Sequence, residues 1–139
     1  MSEETKSPQR KISSSRGKIL LVEDDDFVSG MYSTKLTMAG YDVVIAKDGK
    51  EGLSMLLQEN PDLVLLDIVL PKVDGFQVLE RIKKHQIYKD LPVILLTNLG
   101  QKEDVEKGLQ LGADDYTIKA HFTPNEVIQK IEKLLQRVK

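Results

Sequence analysis

Five short aliphatic runs, separated by longer segments, constrain the fold of this chain more than any other feature. The second, third and fourth runs are continuously apolar rather than alternating, which is typical of strands covered on both faces. The segments between the runs have the spacing of amphipathic helices. The runs are KILLV (18–22), DVVIA (42–46), DLVLL (62–66), LPVILL (91–96) and DYTI (115–118).

Helix start and stop signals lie in the segments between the runs. Residues 48–51 (DGKE) and 123–126 (TPNE) both fit a capping box, and Pro124 occupies a favoured first helical position. Gly40 and Gly112 stand where a glycine commonly ends a helix. Five strands and five helices in strict alternation predict an α/β fold with a doubly wound parallel sheet.

The composition excludes several classes of protein. The chain has 139 residues, which suits one domain, and 20 basic against 22 acidic residues give no strong field for nucleic acid. The absence of cysteine excludes a disulfide framework, a thiolate zinc site and cysteine catalysis. No apolar run approaches the roughly 20 residues of a membrane span. We expect a cytoplasmic protein with a disordered tail at 1–16 and one folded domain at 17–139.

Polar residues follow four of the predicted strands, at the edge of a parallel sheet where ligands bind. If the first and third strands are neighbours, Glu23, Asp24 and Asp67 converge there. Three carboxylates together need a compensating cation, and hard oxygen ligands select Mg²⁺ or Mn²⁺. Thr97 and Lys119 follow the fourth and fifth strands and add a hydroxyl and an ammonium group. The set suits a phosphoryl group, with one carboxylate to attack and positive charge to neutralise the phosphoryl oxygens.

Each of these residues also has an ordinary structural interpretation. Acids after a strand commonly cap the next helix, and Asp25 or Asp26 fits that role. Threonine at a strand end and lysine on a surface are common without any ligand. Their coincidence at one edge of the sheet favours a functional site.

The motifs around these residues resemble the receiver domains of two-component response regulators, in particular the stand-alone receivers of chemotaxis. The resemblance covers residues 17–139 and implies a flavodoxin-like fold with strand order 2-1-3-4-5. The motifs that carry it are KILLVEDD (18–25), GYDVVIAKDGKEGL (40–53), PDLVLLDIVLPKVDGF (61–76), LPVILLTN (91–98) and GADDYTIK (112–119).

The resemblance implies a phosphoacceptor and a metal site. Asp67 matches the phosphoacceptor, and Asp24 matches the residue that binds Mg²⁺ directly. Glu23 matches its companion acid, which acts through a water. The third protein ligand would be the backbone carbonyl of Val69, so the side chain at that position is free to vary. Asp74 is expected to cap the third helix.

The resemblance also implies a switch. Thr97 matches the hydroxyl that moves toward the phosphoryl oxygen, and Lys119 matches the lysine that pairs with it. Tyr116 matches the aromatic residue whose ring turns inward when Thr97 moves. The change would alter a protein-binding face formed by the fourth helix, the fifth strand and the fifth helix.

The sequence departs from the family pattern in three ways near the site. Ala120 follows Lys119 where the family has a proline in a cis peptide bond, so this loop is either trans or strained. The loop from Lys119 to Pro124 is also one residue longer than usual. Asn98 follows Thr97 where alanine or serine is preferred, and its larger side chain is expected to narrow access to the acceptor.

The resemblance implies a signalling protein and not an enzyme. A sensor histidine kinase or a phosphotransfer protein would donate the phosphoryl group, and an unidentified downstream protein would bind a monomer or a phosphorylation-linked dimer. Because the sequence stops just past the last helix, we expect no output domain and no direct contact with nucleic acid or a membrane. The alternative is that the chain is the receiver fragment of a longer regulator.

Three other functions fit the sequence less well. A receiver-like interaction module that works without phosphorylation would be expected to lack an acid, and none is missing. An aspartyl phosphatase would place a second aspartate at position 69, which is valine. A nucleotide or flavin binder would carry a glycine-rich phosphate loop, and neither common pattern of such a loop occurs.

Overall fold

A five-stranded parallel sheet organises residues 15–138, the part of the chain that the computed structural model describes. The strands are β1 (Lys18–Val22), β2 (Asp42–Ala46), β3 (Leu63–Leu66), β4 (Val93–Thr97) and β5 (Asp115–Ile118). The helices are α1 (Asp26–Met38), α2 (Gly49–Glu59), α3 (Gly75–Lys84), α4 (Lys102–Gln110) and α5 (Pro124–Val138), with a 3-10 turn at Lys119–His121. The sheet order β2-β1-β3-β4-β5 confirms the predicted flavodoxin-like fold.

Three strands match the predicted runs, and two differ at their ends. β3 begins one residue later than the run, and the Asp62 carboxylate accepts a hydrogen bond from the backbone N–H of Lys18 at 2.7 Å. β4 begins after Pro92, which has no N–H to donate to a neighbouring strand. β4 also extends one residue further, to Thr97, which pairs in register with Ile118.

The sheet separates two apolar layers. Helices α1 and α5 pack on one face, and α2, α3 and α4 pack on the other. The first layer includes the buried helix residues Tyr32, Leu36, Val127, Ile131 and Leu135, and the second includes Leu56, Val78, Leu79 and Ile82. Every residue of β3 and β4 is buried, which explains why their runs are continuously apolar.

Side-chain caps begin the helices where the sequence predicts them, with one difference in detail. Thr123 Oγ1 accepts from the N–H of Glu126 at 3.2 Å, and the Glu126 carboxylate accepts from the N–H of Thr123 at 2.8 Å, so this capping box is complete. Asp48 accepts from the N–H of Glu51 at 2.7 Å. The Glu51 carboxylate, however, accepts from the N–H of Lys47 instead of that of Asp48.

The predicted disordered tail at 1–16 falls largely on residues 1–14, which lie outside the described residues, as does Lys139. Arg16 is described, and its N–H donates to the carbonyl of Gly40 at 2.9 Å. Its guanidinium also pairs with Glu132 of α5 at 2.8 Å. Gly40 has a φ of +102°, as expected of a glycine that ends a helix.

The last helix is the longest of the described ones, with 15 residues. Five of its apolar residues follow helical spacing and are buried against the sheet, namely Val127, Ile128, Ile131, Leu134 and Leu135, while its other face carries charged residues. Within residues 15–138, no helix is both long enough and apolar enough to cross a membrane.

Candidate functional site

Three acids converge at the carboxyl ends of β1 and β3. The two strands are neighbours, and the N–H of Asp67 donates to the carbonyl of Val22 at 3.0 Å. Carboxylate oxygens of Glu23, Asp24 and Asp67 lie within 4.8 Å of one another. Glu23 and Asp67 are buried, at 2% and 7% exposure, whereas Asp24 is exposed. The convergence expected from the sequence is therefore present.

Lys119 provides the positive charge at this site. Its Nζ donates to Glu23 Oε1 at 2.5 Å and to Asp67 Oδ2 at 3.0 Å, and its side chain is 14% exposed. Burial opposes the charged form of the lysine, but the hydrogen bonds and negative charges of Glu23 and Asp67 outweigh that effect and raise its pKa. The ammonium group therefore stays protonated between the two buried acids.

The two buried carboxylates differ in their remaining partners. Glu23 Oε2 accepts from the N–H of Asp25 at 3.1 Å, and burial raises the pKa of Glu23 in spite of that bond and of Lys119. Asp67 Oδ1 accepts from the N–H groups of Ile68 at 2.7 Å and of Val69 at 3.3 Å. Because both oxygens of each carboxylate have donors, the two groups are held in fixed orientations.

The loop after β3 runs from residue 68 to residue 74 and leads into α3. Val69 is 61% exposed, so packing constrains its side chain less than that of a buried residue. Asp74 caps α3, as predicted, by accepting from the N–H of Gln77 at 3.0 Å. The Gln77 side chain accepts from the N–H of Asp74 at 3.2 Å, which completes a capping box at the start of α3 that was not predicted from the sequence.

Thr97 and Tyr116 are linked through the backbone of Leu99. Thr97 is fully buried, and its Oγ1 accepts from the N–H of Leu99 at 3.3 Å. The Tyr116 hydroxyl donates to the carbonyl of Leu99 at 2.7 Å. Burial raises the pKa of Tyr116 to about 12, so the hydroxyl is a donor at neutral pH. Sequence reasoning did not find Leu99, because it takes part through its backbone, which has no signal in the side-chain pattern.

The three departures near Thr97 and Lys119 have structural outcomes. Among the described residues no peptide bond is cis, so the bond between Lys119 and Ala120 is trans. The extra loop residue is accommodated by the 3-10 turn at Lys119–His121, and Lys119 still reaches both buried acids. Asn98 is exposed directly after Thr97.

The donor set fits a hard divalent cation. The three carboxylates offer oxygen ligands at close range, which suits Mg²⁺ and other cations that prefer oxygen. Two of these acids are buried and one is exposed, so the cluster can be reached from solvent through Asp24. Glu23 and Asp67 share Lys119, so a cation would add its charge to a partly neutralised cluster.

Comparisons with known proteins cover the same region. The sequence model of the response regulator receiver domain matches residues 19–132. The DNA-binding dual master transcriptional regulator RpaA of Synechocystis sp. is 44% identical over 120 residues, which are 86% of this chain and 49% of the relative. The chain therefore spans about half the length of the curated relatives that it matches.

Solved structures extend the similarity to the fold. The receiver domain of the Francisella response regulator 1452 has a TM-score of 0.83 and 34% identity, covering 89% of this chain and 100% of that one. The Mn²⁺-bound form of the response regulator Rcp1 has a TM-score of 0.71 and 31% identity, covering 88% and 91% of the two chains.

The matched region contains the three clustered acids and the residues around them. It begins within β1 and ends within α5, so it includes every residue of the sheet except Lys18. The relative and the solved structures cover 86–89% of this chain at identities above 30%. The chain belongs to the response regulator receiver domain family.

Proposed function

We propose that this receiver domain accepts a phosphoryl group on Asp67 in a Mg²⁺-dependent reaction. The donor would be the phosphohistidine of a sensor histidine kinase or of a phosphotransfer protein. The observation that carries the proposal is the convergence of three carboxylates and one ammonium group at the carboxyl ends of β1, β3 and β5. A carboxylate nucleophile, a metal-binding acid pair and a fixed positive charge are the parts that phosphoryl transfer needs.

Asp67 suits the acceptor role better than Glu23 does. Its Oδ1 is anchored by two backbone N–H groups, which leaves Oδ2, with Lys119 as its hydrogen-bond partner, as the attacking atom. Glu23 is almost fully buried, and its oxygens accept from Lys119 and from the N–H of Asp25. The acceptor oxygen must reach phosphorus, and Glu23 is the less exposed of the two residues, at 2% against 7% for Asp67.

The transfer of the phosphoryl group involves the Asp67 carboxylate, the donor imidazole and a proton from solvent. Oδ2 of Asp67 attacks phosphorus, the new P–O bond forms as the P–N bond to the donor imidazole breaks, and the imidazole leaves with the bonding electron pair and takes a proton from solvent. The Lys119 ammonium, already beside Oδ2, neutralises negative charge on the transferred phosphoryl group. The Thr97 hydroxyl donates to a phosphoryl oxygen.

The metal ligands would be Asp24 and Asp67, with Glu23 acting through a water and the Val69 backbone carbonyl completing the protein ligands. When bound, Mg²⁺ supplies charge that stabilises the phosphoryl oxygens in the transition state. Asp24 is exposed and lies close to both buried acids. It can therefore offer its carboxylate oxygens to the cation without breaking a contact in the protein core.

The output would be a change on the face formed by α4, β5 and α5. If the Thr97 hydroxyl turns toward a phosphoryl group, the N–H of Leu99 loses its acceptor. The carbonyl of Leu99 holds the Tyr116 hydroxyl, so movement of this peptide changes the position of the tyrosine ring. Phosphorylation shifts the equilibrium only to the extent that it favours one of the two arrangements.

A second candidate function is that of the receiver part of a longer transcriptional regulator. The observation in its favour is that the matched relative is named as a DNA-binding transcriptional regulator and is about twice as long as the matched region. In that case the α4, β5 and α5 face would control an attached or a separate DNA-binding unit, and Asp67 would keep the same chemistry.

The test is the intact mass after incubation with Mg²⁺ and acetyl phosphate. We expect one phosphoryl adduct that disappears with EDTA and in Asp67→Asn. Asp42→Asn, the same substitution at the exposed amino end of β2, is the matched control and should keep the adduct. An adduct that persists in Asp67→Asn would contradict the assigned acceptor. If neither acetyl phosphate nor histidine kinases yield an adduct, the domain works as an interaction module without phosphorylation.

A further inference from the structure

The first turn of α2 makes two close contacts, one that leaves no room for a side chain and one that leaves little room. A Cβ on Gly49 would lie 1.8 Å from the carbonyl oxygen of Val73, and a Cβ on Gly52 would lie 3.1 and 3.2 Å from the two methyl groups of Val22. Neither glycine has a positive φ, so the helical backbone itself would accept alanine at both positions. The requirement for glycine is therefore steric and comes from the two neighbours.

Both neighbours belong to segments that carry the clustered acids. Val22 ends β1 and directly precedes Glu23, and its carbonyl accepts from the N–H of Asp67 at 3.0 Å. Val73 lies in the loop that follows Asp67 and leads into α3. The first turn of α2 thus touches the end of β1 through Gly52 and the loop after β3 through Gly49.

The loop is held at this contact by polar groups as well. The carbonyl of Pro71 accepts from the N–H of Val73 at 2.8 Å and from that of Gly49 at 3.4 Å. Lys72, inside this tight turn, has a φ of +70°, which is strained for a residue with a side chain. Its ammonium group lies 3.5 Å from the carboxylate of Asp48, the residue that caps α2. The contact with α2 therefore stabilises a loop conformation that is unfavourable by itself.

At its α3 end the same loop also makes a close contact with a glycine, Gly75. A Cβ on Gly75 would lie 2.1 Å from the carbonyl oxygen of Asp67, and the N–H of Gly75 donates to the carbonyl of Ile68 at 2.8 Å. With its α3 end fixed in this way, the loop can change its position relative to β1 mainly at the Gly49 contact.

We propose that Gly49 and Gly52 are positioning residues, through which α2 sets the distance between the end of β1 and the loop after Asp67. This inference rests on the proposed function, because the quantity that the distance controls is the affinity for Mg²⁺. Mg²⁺ demands near-ideal octahedral geometry, so ligands on two segments must be held at a fixed separation. A backbone carbonyl blocks the space at Gly49, whereas the Val22 methyl groups at Gly52 can move by a few tenths of an ångström.

Alanine substitutions, with titration of Mg²⁺ followed by calorimetry, test the proposal. Gly30→Ala in α1 is the matched control, because a Cβ there meets nothing within 4 Å. We expect Gly30→Ala to bind Mg²⁺ like the wild type and Gly49→Ala to bind it at least about tenfold more weakly, a loss typical of residues that orient metal ligands. Gly52→Ala should show a smaller loss in the same direction.

Amide hydrogen exchange without metal gives a second readout. The N–H groups of Ile68 and Val69 donate to Asp67 Oδ1, so a displaced loop should exchange these two amides faster. We expect faster exchange in Gly49→Ala and unchanged exchange in Gly30→Ala. If Gly49→Ala does not fold, the proposal is tested by comparing Gly52→Ala with the double variant that combines Gly52→Ala and Val22→Ala. The double variant restores space and should bind Mg²⁺ more tightly than Gly52→Ala alone.

The outcomes separate this inference from the proposed function. If the wild type and Gly30→Ala both fail to bind Mg²⁺, the proposed metal site is wrong. If both bind it, and Gly49→Ala and Gly52→Ala bind it equally well with unchanged exchange of the two amides, the positioning proposal is overturned and the metal site stands.

Discussion

The Tyr116 hydroxyl donates a hydrogen bond to the carbonyl of Leu99 at 2.7 Å, and this bond joins β5 to the segment after β4. The N–H of the same Leu99 donates to Thr97 Oγ1 at 3.3 Å. Leu99 therefore connects Thr97, whose hydroxyl is expected to meet the phosphoryl group, with Tyr116, whose ring is expected to change position in response. Neither bond requires a particular side chain at position 99.

Removing the Tyr116 hydroxyl should weaken this connection without harming the acceptor. We expect Tyr116→Phe to lower the free energy of unfolding by about 1 kcal/mol, the net value of one such hydrogen bond. In Tyr116→Phe the backbone around Leu99 should exchange amide protons faster than in the wild type, while the phosphoryl adduct on Asp67 still forms. Urea unfolding and amide exchange measure these effects. Tyr88→Phe, before β4 and at the opposite ends of the strands, is the control and should leave exchange near Leu99 unchanged.

The fold could be predicted almost completely from the sequence, because burial on both faces leaves a direct trace in the pattern. The DVVIA run matches β2 residue for residue. The DLVLL run begins one residue before β3 does, because the Asp62 side chain binds the backbone of β1. The end of β4 was harder to predict. Thr97 is polar yet belongs to the strand, where it is fully buried and paired with Ile118.

Only the part of the site that is built from side chains could be predicted from the sequence. Glu23, Asp24 and Asp67 follow strands, and parallel pairing brings strand ends together, so their convergence follows from topology. The two donors to Asp67 Oδ1 and the bridging residue Leu99 act through backbone atoms, which any side chain permits. The Gly49 contact depends on a carbonyl from a distant loop, and that approach has no local signal in the sequence.

Replacing Lys119 should change the stability of the domain in a metal-dependent way. Lys119 neutralises Glu23 and Asp67, so Lys119→Met leaves two buried acids without their cation. We expect the free energy of unfolding without metal to fall by up to about 3 kcal/mol, since loss of one partner of a buried ion pair is costly. Added Mg²⁺ should then stabilise Lys119→Met more than the wild type, because the unpaired acids bind the cation more tightly.

Urea unfolding with and without Mg²⁺ measures this difference. Lys83→Met is the control, since Lys83 is also part-buried and pairs with Asp114, which precedes β5 at the amino ends of the strands, the opposite edge of the sheet from the acids. Its stability should not gain additional dependence on Mg²⁺. Equal stabilisation of Lys119→Met and the wild type by the metal would show that Lys119 and the cation do not share the same acids.

The exposed side chain of Asn98 is expected to slow access to the acceptor. It directly follows Thr97, and its exposure places it on the solvent side of the site. We expect Asn98→Ala to accelerate formation of the adduct from acetyl phosphate severalfold, because a smaller side chain widens the approach. Time courses of intact mass measure the rate. An unchanged rate would show that position 98 does not limit access.

High pH should destabilise the domain through groups whose pKa is raised by folding. Burial raises the pKa of Tyr116 from 10 to about 12, and the pKa of Lys119 is also raised above its ordinary 10.5. The unfolded chain loses these protons first, so their contribution to stability is full below pH 10 and is lost as pH rises toward 12. The free energy of unfolding should therefore fall across this range.

Tyrosinate absorbance gives a direct check on the assignment. In the wild type, one tyrosine should ionise with a pKa of about 12, and Tyr116→Phe should remove that transition. A transition that persists in Tyr116→Phe would mean that another buried tyrosine, such as Tyr32, whose pKa is also raised by burial, accounts for it.

The buried hydroxyl of Thr117 offers a stabilising substitution away from the site. Thr117 is fully buried on β5, and within residues 15–138 its Oγ1 has no hydrogen-bond partner. Valine has nearly the same shape, so Thr117→Val removes an unsatisfied polar group without leaving a cavity. We expect the free energy of unfolding to rise by about 1 kcal/mol or more. Thr117→Ser keeps the hydroxyl and loses the methyl group, so it should be less stable than the wild type. If Thr117→Val were also less stable, the hydroxyl would have to be bonded to a buried water, and the gain from removing it would disappear.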